Sequence, residues 1–319
     1  MMNSNYKGIG NKTRVIASSL WTLIVVFTCF SLFIGCAKAQ ENQTASVTNV
    51  QAGEKKFEDF DPSSFDRSTQ IDNQWMPMKP GMRYVFEGTT VDDEGEALPH
   101  RVEINVTDLT KVVGGIRSVV SWDIDYTDGE LVEAELAFFA QDKDGNVWRM
   151  GEYPEEYEDG KLIDNPAWIH GLEEARAGIM MHVNPQPGTP SYAQGWAPKV
   201  DWTDRGQVDQ VGQKTNVPAG SYEDVLVIAE TSASEPDAQQ LKYYARGVGN
   251  VRVGWRGAGE KTQETLELVK VEQLSPEAMA EVRAKALELE KSGYKNSKNV
   301  YALTPPTEHM SGKEAQATK

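Results

Sequence analysis

Alternation of apolar and polar residues dominates the first half of the chain. In HRVEINVTDL, Val102, Ile104 and Val106 alternate with polar neighbours, and the runs MRYVFEGTTV, IRSVVSWDIDY, ELVEAELAFFAQ and VWRMGEY share its β-branched and aromatic character. Turn sequences such as Gly114-Gly115 and Asp144-Gly145 separate these runs. Short glycine turns between alternating runs are typical of β-hairpins. The pattern predicts an antiparallel meander of about five strands.

The second half resumes the same pattern after an irregular stretch. Residues 154–202 are broken by glycine and proline, whereas RGQVDQVGQKTNV, YEDVLVIAETS, LKYYARGVGNVRVGW and QETLELVKVEQL again read as strands. Long irregular stretches in compact domains often form functional loops. The predicted fold is therefore mainly β over residues 71–274: a curved antiparallel sheet or open barrel built from hairpins, with a long irregular insertion.

One helix is expected near the C-terminus, over residues 275–293. Ser275 fits the N-cap, Pro276 the first helical position, and Gly293 a stop signal. Its apolar stripe predicts that the helix packs on the sheet. Residues 40–70 and 294–319 are polar and aperiodic, so we expect a flexible tether and a disordered tail.

Residues 1–39 have the composition of an export signal. Basic residues precede a long apolar run that contains no acid. Two endings compete: signal-peptidase cleavage after Ala39, and a lipobox-like Phe33-Ile34-Gly35-Cys36 whose Cys36 would be lipidated. An uncleaved anchor is a third alternative, since the run approaches the roughly 20 residues that span a bilayer. The predicted location is the periplasm or cell envelope, or outside the cell.

The charge balance narrows the range of partners. Without the four basic residues of the signal, the chain carries 28 basic and 48 acidic residues. Nucleic acid is an unsuitable partner because its binding requires neutralisation of phosphates by lysine and arginine. We expect membrane contact only through the N-terminal signal or a lipid anchor. Both cysteines lie within residues 1–39, so the body has neither a disulfide nor a thiol nucleophile.

Five separated segments resemble a family of exported bacterial proteins and lipoprotein candidates without an established activity. They are IDNQWMPMKPGMRYVFEG, AQDKDGNVWRMGEYPEEYEDGK, AGIMMHVNPQPGTPSYAQGW, NVPAGSYEDVLVI and LKYYARGVGNVRV, within residues 71–256. The last segment is also similar to the closing hairpin of curved, lipoprotein-carrier-like sheets. The resemblance implies an exported, β-rich protein and assigns no catalytic residue.

The stretch DKDGN has two interpretations. Asp142, Asp144 and Asn146 alternate as calcium ligands do in an EF-hand loop. That loop requires glycine at its sixth position and glutamate at its twelfth, where this chain has Val147 and Tyr153. Aspartate, glycine and asparagine are also the residues of a tight turn. The turn is the favoured interpretation, with calcium as the alternative and no other cofactor expected.

Three classes of function remain open. The favoured one is a non-enzymatic binding protein with an apolar groove for a lipid or another apolar ligand. The alternatives are a polysaccharide hydrolase that uses the acids between residues 152 and 159, and a structural or assembly protein of the envelope. The sequence contains no nucleophile elbow or phosphate loop. Candidate lining residues of the groove are Trp168, Ile179, Met180, Met181, Tyr192 and Trp196.

Overall fold

The computed structural model describes residues 55–92 and 94–310. Its first half is the predicted five-stranded meander: β1 (Met82–Val91), β2 (Ala97–Val113), β3 (Ile116–Thr127), β4 (Glu130–Gln141) and β5 (Val147–Glu158). Each strand pairs antiparallel with the next. The β2–β3 turn needs Gly114 and Gly115, whose φ angles of 56° and 85° lie in the left-handed region.

The insertion predicted to be irregular contains five short strands. They are β6 (Lys161–Asp164), β7 (Trp168–Ile169), β8 (Arg176–Met181), β9 (Tyr192–Ala193) and β10 (Gly195–Trp196). β6, β7 and β8 all pair with β5. Three of them have only two residues and therefore no periodicity, and β8 is buried on both faces from Ala177 to Met181, so it shows no alternation either.

The second half adds β11 (Arg205–Val217), β12 (Gly220–Thr231), β13 (Gln239–Ala245), β14 (Gly249–Arg256) and β15 (Thr265–Gln273). β15 pairs with β1, which joins both halves into one antiparallel sheet. The order runs from β10 through β8, β5 and β1 to β11 and β9. The sheet is not closed, and its terminal strands β9 and β10 are separated in the chain by Gln194 alone. The mainly β, open antiparallel architecture is confirmed.

Each face of the sheet has its own apolar core. On the outer face, Val120, Leu136 and Phe138 pack with Ala286 and Leu289 of the C-terminal helix. The inner face carries a second cluster that joins β3 and β4 to β11, β12 and β13 across the interior. Its members include Val119, Ala137, Phe139, Val208, Leu226, Ile228 and Tyr244. The sheet therefore curls until its two halves face each other.

The helix α1 (Pro276–Asn296) is longer than the predicted 275–293. Ser275 caps it as predicted, because its hydroxyl accepts a hydrogen bond from the Ala278 amide at 3.2 Å. Gly293 is an interior residue of the helix rather than its stop. A Cβ at this position would lie 2.7 Å from Cδ1 of Tyr301, so glycine is needed for close packing. No helix among the described residues is long and apolar enough to cross a membrane.

The predicted disordered tail is wrong for residues 294–310. Tyr301 is fully buried, and β16 (Glu308–His309) pairs with β2. The sequence did not suggest this because the ordering contacts are long-range: the buried Lys111 ammonium donates a hydrogen bond to the Pro305 carbonyl at 2.8 Å. Residues 311–319 lie outside the described part of the chain.

The predicted tether is also wrong for residues 55–70. Phe60 and Phe65 pack against Trp148 with ring centroids 5.6 and 5.9 Å apart, and the Ser68 hydroxyl donates to the Arg117 carbonyl at 2.6 Å. Two partly buried aromatic side chains anchor this polar segment without any periodicity. The export signal over residues 1–39, Cys36 and residues 40–54 lie outside the described residues.

Candidate functional site: an acidic recess on the inner face

The inner face of the sheet changes from apolar to acidic along its strands. On β3, the inward positions run from Val119 through Ser121 to Asp123 and Asp125. The facing positions on β4 run from Phe139 and Ala137 to Glu135 and Glu133. Asp123 lies directly opposite Glu135, and Asp125 opposite Glu133. Directly opposed residues have Cβ atoms only about 4.5–5.5 Å apart, so four carboxyl groups share one small area.

The strands across the interior show the same change. On β12, the inward positions run from the apolar Leu226 and Ile228 to Glu230. On the neighbouring antiparallel strand β13, they run in parallel from Tyr244 to Lys242. These groups interact with those of the first half, because Asp204, just before β11, interacts electrostatically with both Lys242 and Arg149 of β5.

Together these side chains form one connected polar cluster, which we call the acidic recess. Its members are nine carboxylic acids, Asp123, Asp125, Glu133, Glu135, Glu152, Glu156, Asp204, Glu230 and Glu264, with the basic groups Arg149, Lys242 and His100. Water reaches parts of it: 28% of the Asp125 side chain and 25% of the Lys242 side chain are exposed.

Arg149 is the cation at the centre of the recess. Its guanidinium forms ion pairs with Glu135 and Glu152, and it lies 4.7 Å from the ring centroid of Trp202. Burial alone would lower the pKa of Arg149, but the surrounding carboxylates outweigh burial and raise it. Glu152 remains difficult to ionise, because burial raises its pKa well above the usual value despite Arg149. One arginine therefore does not neutralise its neighbours.

Asp123 and Asp125 hold protons near neutral pH. Burial, together with the charge of Glu135, raises the pKa of Asp123 to about 7, although Ser121 donates a 2.5 Å hydrogen bond to its carboxylate. Burial likewise raises the pKa of Asp125 to about 7. Asp125 is thus strongly desolvated although part of its side chain reaches solvent.

A second polar centre joins both halves of the sheet around His100. Its ring nitrogens lie 3.0 Å from a Glu264 oxygen and 3.4 Å from an Asp125 oxygen. Burial lowers the pKa of His100, but the Glu264 hydrogen bond and the charges of Glu264 and Asp125 raise it above its usual value. Gln240 of β13 donates to the other oxygen of Glu264. His100 is therefore favoured as a cation.

The third centre is Glu230. Its two oxygens accept hydrogen bonds from the Gln194 amide at 2.6 Å and from the Lys242 ammonium at 2.7 Å. Burial and the charge of Glu230 raise the pKa of neighbouring Asp204 to about 6, against the opposing effect of Lys242 and Arg149. Carboxyl groups therefore outnumber basic side chains also at the end of the sheet formed by β11 and β9.

Several polar atoms of the recess have no hydrogen-bond partner within the described residues. They include the Tyr192 hydroxyl, Nε of Arg149 and Nε1 of Trp202. Tyr192 is 4% exposed, its ring lies over Gly206, and its hydroxyl interacts electrostatically with Tyr244 and Glu230. Because buried polar atoms are almost always paired, such a group of unpaired atoms indicates a place for water or a ligand.

The predicted apolar lining residues do not meet in one groove. Met180 and Met181 pack in the inner cluster, whereas Ile179 and Tyr192 belong to the cluster that contacts the helix. Trp168 packs with Ala175 and Ala197 in a small separate cluster. Trp196 is half-buried, with the Lys56 ammonium 4.3 Å from its ring centroid. Of the six, Tyr192 reaches the acidic recess through the electrostatic interaction of its hydroxyl with Glu230, and Trp168 lies directly opposite Glu152 on the neighbouring strand.

The DKDGN stretch forms a turn held by one carboxylate. One Asp142 oxygen accepts hydrogen bonds from the amides of Asp144 and Asn146, and the other accepts from the Asn146 side chain and the Trp148 indole. The Asn146 side-chain oxygen accepts from the Val183 amide. These acceptor sites are thus occupied by the protein itself. Within residues 55–92 and 94–310, no three His, Cys, Asp or Glu side chains are grouped as ligands for one metal ion.

The acids between residues 152 and 159 are divided between the two faces. Glu152 and Glu156 belong to the recess. Glu155 instead accepts hydrogen bonds from Tyr153, Tyr157, Ser292 and Asn296, which fix the helix to β5. Asp159 is exposed in the β5–β6 turn with φ near 50°.

The sequence did not indicate Asp123, Asp125, Glu133 and Glu135 as site residues. Their positions in the strand alternation were the available signal. Each lies an even number of positions from Val119 or Phe139, and therefore on the same buried side of its strand. Acids in the inward phase of two adjacent strands were the available clue.

Comparisons with known proteins add no family assignment. Neither a protein-family model nor a curated protein sequence matches this chain. Two solved structures are similar to 63% of it: a provisionally described exported protein with a YmcC-like fold from Bacteroides fragilis (12% identity, 99% of that chain, TM-score 0.37) and a provisionally described lipoprotein from Parabacteroides distasonis (13% identity, 100% of that chain, TM-score 0.29). Likenesses at this level do not establish a shared fold or function.

Proposed function

We propose that this chain is an exported, non-enzymatic binding protein whose acidic recess holds a positively charged, polar ligand. The observation that carries the proposal is the charge imbalance of the recess, where nine carboxylic acids face Arg149, Lys242 and His100. Desolvated carboxylates repel one another and take up protons, as Asp123 and Asp125 do near neutral pH. A cationic ligand relieves the same repulsion without protonation.

The recess supports this function better than the predicted apolar groove does. Five of the six candidate groove residues fill three separate packed clusters, and Trp196 is half-buried outside them. The recess, in contrast, combines partial solvent access with unpaired polar atoms, and such convergent polar groups orient ligands in binding sites.

Calorimetric titration of the full-length protein tests the proposal. Spermidine serves as a linear trication and triethylene glycol as a neutral chain of similar length. We expect saturable binding of spermidine, weakened at least about tenfold by Asp125→Asn or Glu135→Gln, and no binding of the glycol. The control is Glu288→Gln, which removes a charge of an acid that is 72% exposed on the helix. An equal loss of spermidine affinity in all three variants would indicate that spermidine is attracted to the acidic protein in general, and would refute the proposal.

Export has its own test, independent of the recess. The basic residues and acid-free apolar run of residues 1–39 support it. Mass spectrometry of the protein from its own cells should find a chain that begins at lipid-modified Cys36 or at Gln40. A chain that retains Met1 in the cytoplasmic fraction would contradict export.

A hydrolase is the second candidate, favoured by one specific pair. Asp123, with a pKa of about 7, faces Glu135, which is ion-paired with Arg149. A carboxyl group that holds its proton near neutral pH, directly opposite a second carboxyl group, is a pairing that general acid–base catalysis can use. Shortening of an oligosaccharide by the protein, lost in Asp123→Asn, would support this candidate over simple binding.

A further inference from the structure

We propose that the ligand of the acidic recess is an amino sugar, a saccharide that carries free ammonium groups; this inference rests on the proposed function and names its ligand class. Three features of the recess carry it: the excess of carboxylates, the unpaired polar atoms beside them, and indole rings at the same face.

The unpaired atoms require a ligand that also accepts hydrogen bonds. Nε of Arg149 and Nε1 of Trp202 can only donate hydrogen bonds. A ligand ammonium group is itself a donor and therefore cannot pair with them. The Tyr192 hydroxyl can donate as well, and its side chain is more than nine-tenths buried. A simple polyamine or a metal ion leaves these donors unpaired. The hydroxyl and ring oxygens of a sugar are suitable acceptors, while its ammonium groups pair with the carboxylates.

Indole rings border the recess at two places. Trp202 contacts the Arg149 guanidinium and is backed by the buried Trp168, with ring centroids 5.7 Å apart. Trp255 lies directly opposite Gln240 on the neighbouring strand, and Gln240 in turn bonds Glu264. Trp255 is 36% exposed, so part of its indole ring is accessible to a ligand. An indole face beside carboxylates suits a ring that is apolar on one face and carries an ammonium group.

The test is a comparison of four probes by calorimetry on the full-length protein. Chitotriose, the glucosamine trimer with free amines, is compared with its N-acetylated form, with spermidine and with neutral maltotriose. We expect chitotriose to bind at least about tenfold more tightly than spermidine and than either uncharged sugar.

Two variants separate sugar recognition from charge attraction. Tyr192→Phe removes only the unpaired hydroxyl, and Trp255→Ala removes a half-exposed ring, so both should leave the fold intact. We expect each to weaken chitotriose by about fivefold or more while leaving spermidine unchanged within about twofold. The matched control is Tyr222→Phe, because Tyr222 lies at the end of β12 far from Glu230. This variant should change the affinity neither for chitotriose nor for spermidine.

Each contrary outcome has a distinct meaning. Spermidine that binds as tightly as chitotriose overturns the amino-sugar inference and leaves the proposed cation site standing. Binding of chitotriose that is unaffected by Tyr192→Phe and Trp255→Ala also overturns the inference. N-acetylated chitotriose that binds as tightly as chitotriose, or failure of every cationic probe to bind, overturns the proposed function as well.

Discussion

The Lys111 ammonium lies 2.9 Å from a Glu290 carboxylate oxygen in a site closed to solvent. Lys111 belongs to β2 and Glu290 to the helix, so the pair joins the helix to the outer face of the sheet. The same carboxylate accepts hydrogen bonds from the amide and hydroxyl of Thr307, at 2.9 and 2.8 Å. The ammonium also lies 4.4 Å from the ring centroid of Tyr301. One ion pair thus fixes both the helix and the C-terminal segment.

Loss of one partner of this pair should destabilise the protein strongly. Lys111→Met leaves the Glu290 carboxylate buried without its cation, which costs about 3–5 kcal/mol of unfolding free energy. The double variant Lys111→Met, Glu290→Gln removes both charges and should recover at least about half of that loss. Urea denaturation measures both quantities. A single variant within about 0.5 kcal/mol of the wild type would show that the pair does not hold the helix.

Gly293→Ala should destabilise the protein although alanine favours helices. The added Cβ would lie 2.7 Å from Tyr301 and 3.1 Å from Tyr153, so we expect a loss of about 1–3 kcal/mol. Ala284→Gly, at an exposed position of the same helix, gives the size of the propensity effect alone, about 1 kcal/mol. If Gly293 did not pack closely against Tyr301, its replacement by alanine inside the helix would be neutral or would stabilise the protein by up to about 1 kcal/mol.

The recess should make the unliganded protein less stable as the pH rises. Asp123 and Asp125 have folded pKa values of about 7 against the usual 3.8, so the folded state binds more protons than the unfolded state between these values. The raised pKa of His100 acts in the same direction, since its stabilising proton is lost as the pH rises through the folded pKa.

Urea unfolding at pH 5 and at pH 8 measures this effect. We expect the unfolding free energy to be about 1–3 kcal/mol lower at pH 8, and this difference to shrink in Asp123→Asn. Glu155, whose pKa is lowered mainly by its hydrogen bonds against the effect of burial, opposes this trend only below about pH 5. Burial lowers the pKa of His170 and of His182, and these two groups oppose the trend between pH 5 and 8. A wild-type protein that is more stable at pH 8 would contradict the desolvation of the recess.

Asp142 should matter for stability and Asp144 should not. Asp142→Ala removes the acceptor of four hydrogen bonds, including that of the buried Trp148 indole, and should cost about 1–3 kcal/mol. Asp144 is exposed, so Asp144→Ala should stay within about 0.5 kcal/mol of the wild type. Thermal denaturation with and without EDTA distinguishes the alternatives. A melting temperature that falls with EDTA in the wild type but not in Asp144→Ala would establish calcium binding instead.

Strands and hairpin turns could be predicted because their signals are local. Alternation of Val102, Ile104 and Val106, and the Gly114-Gly115 turn, depend on neighbouring residues alone. The order of Tyr301 and Phe60 could not be predicted, because it arises from contacts with residues far away in the chain, such as Tyr153 and Trp148. Polar composition at the two ends concealed a few buried aromatic anchors.

The site was missed because alternation does not tell which side of a strand faces inward. In SWDIDY, alternation alone assigns Trp122 and Ile124 to the core. Both are indeed covered, and Trp122 packs beneath the helix. The acidic phase is enclosed as well, because the sheet curls and brings Glu230 and Lys242 across from it. Burial of both faces is a property of the whole sheet, which no short stretch of sequence records.

Hydrogen exchange with and without a cationic ligand tests the central claim most directly. With saturating chitotriose or spermidine, whichever binds more tightly in calorimetry, the account predicts slower amide exchange in β3 and β4 around Asp123 and Glu135, and in β12 and β13 around Glu230 and Lys242. The exposed acids of the helix should show no change. Slower exchange confined to the helix, or no protection of these four strands by a ligand that binds, would contradict a binding site in the acidic recess.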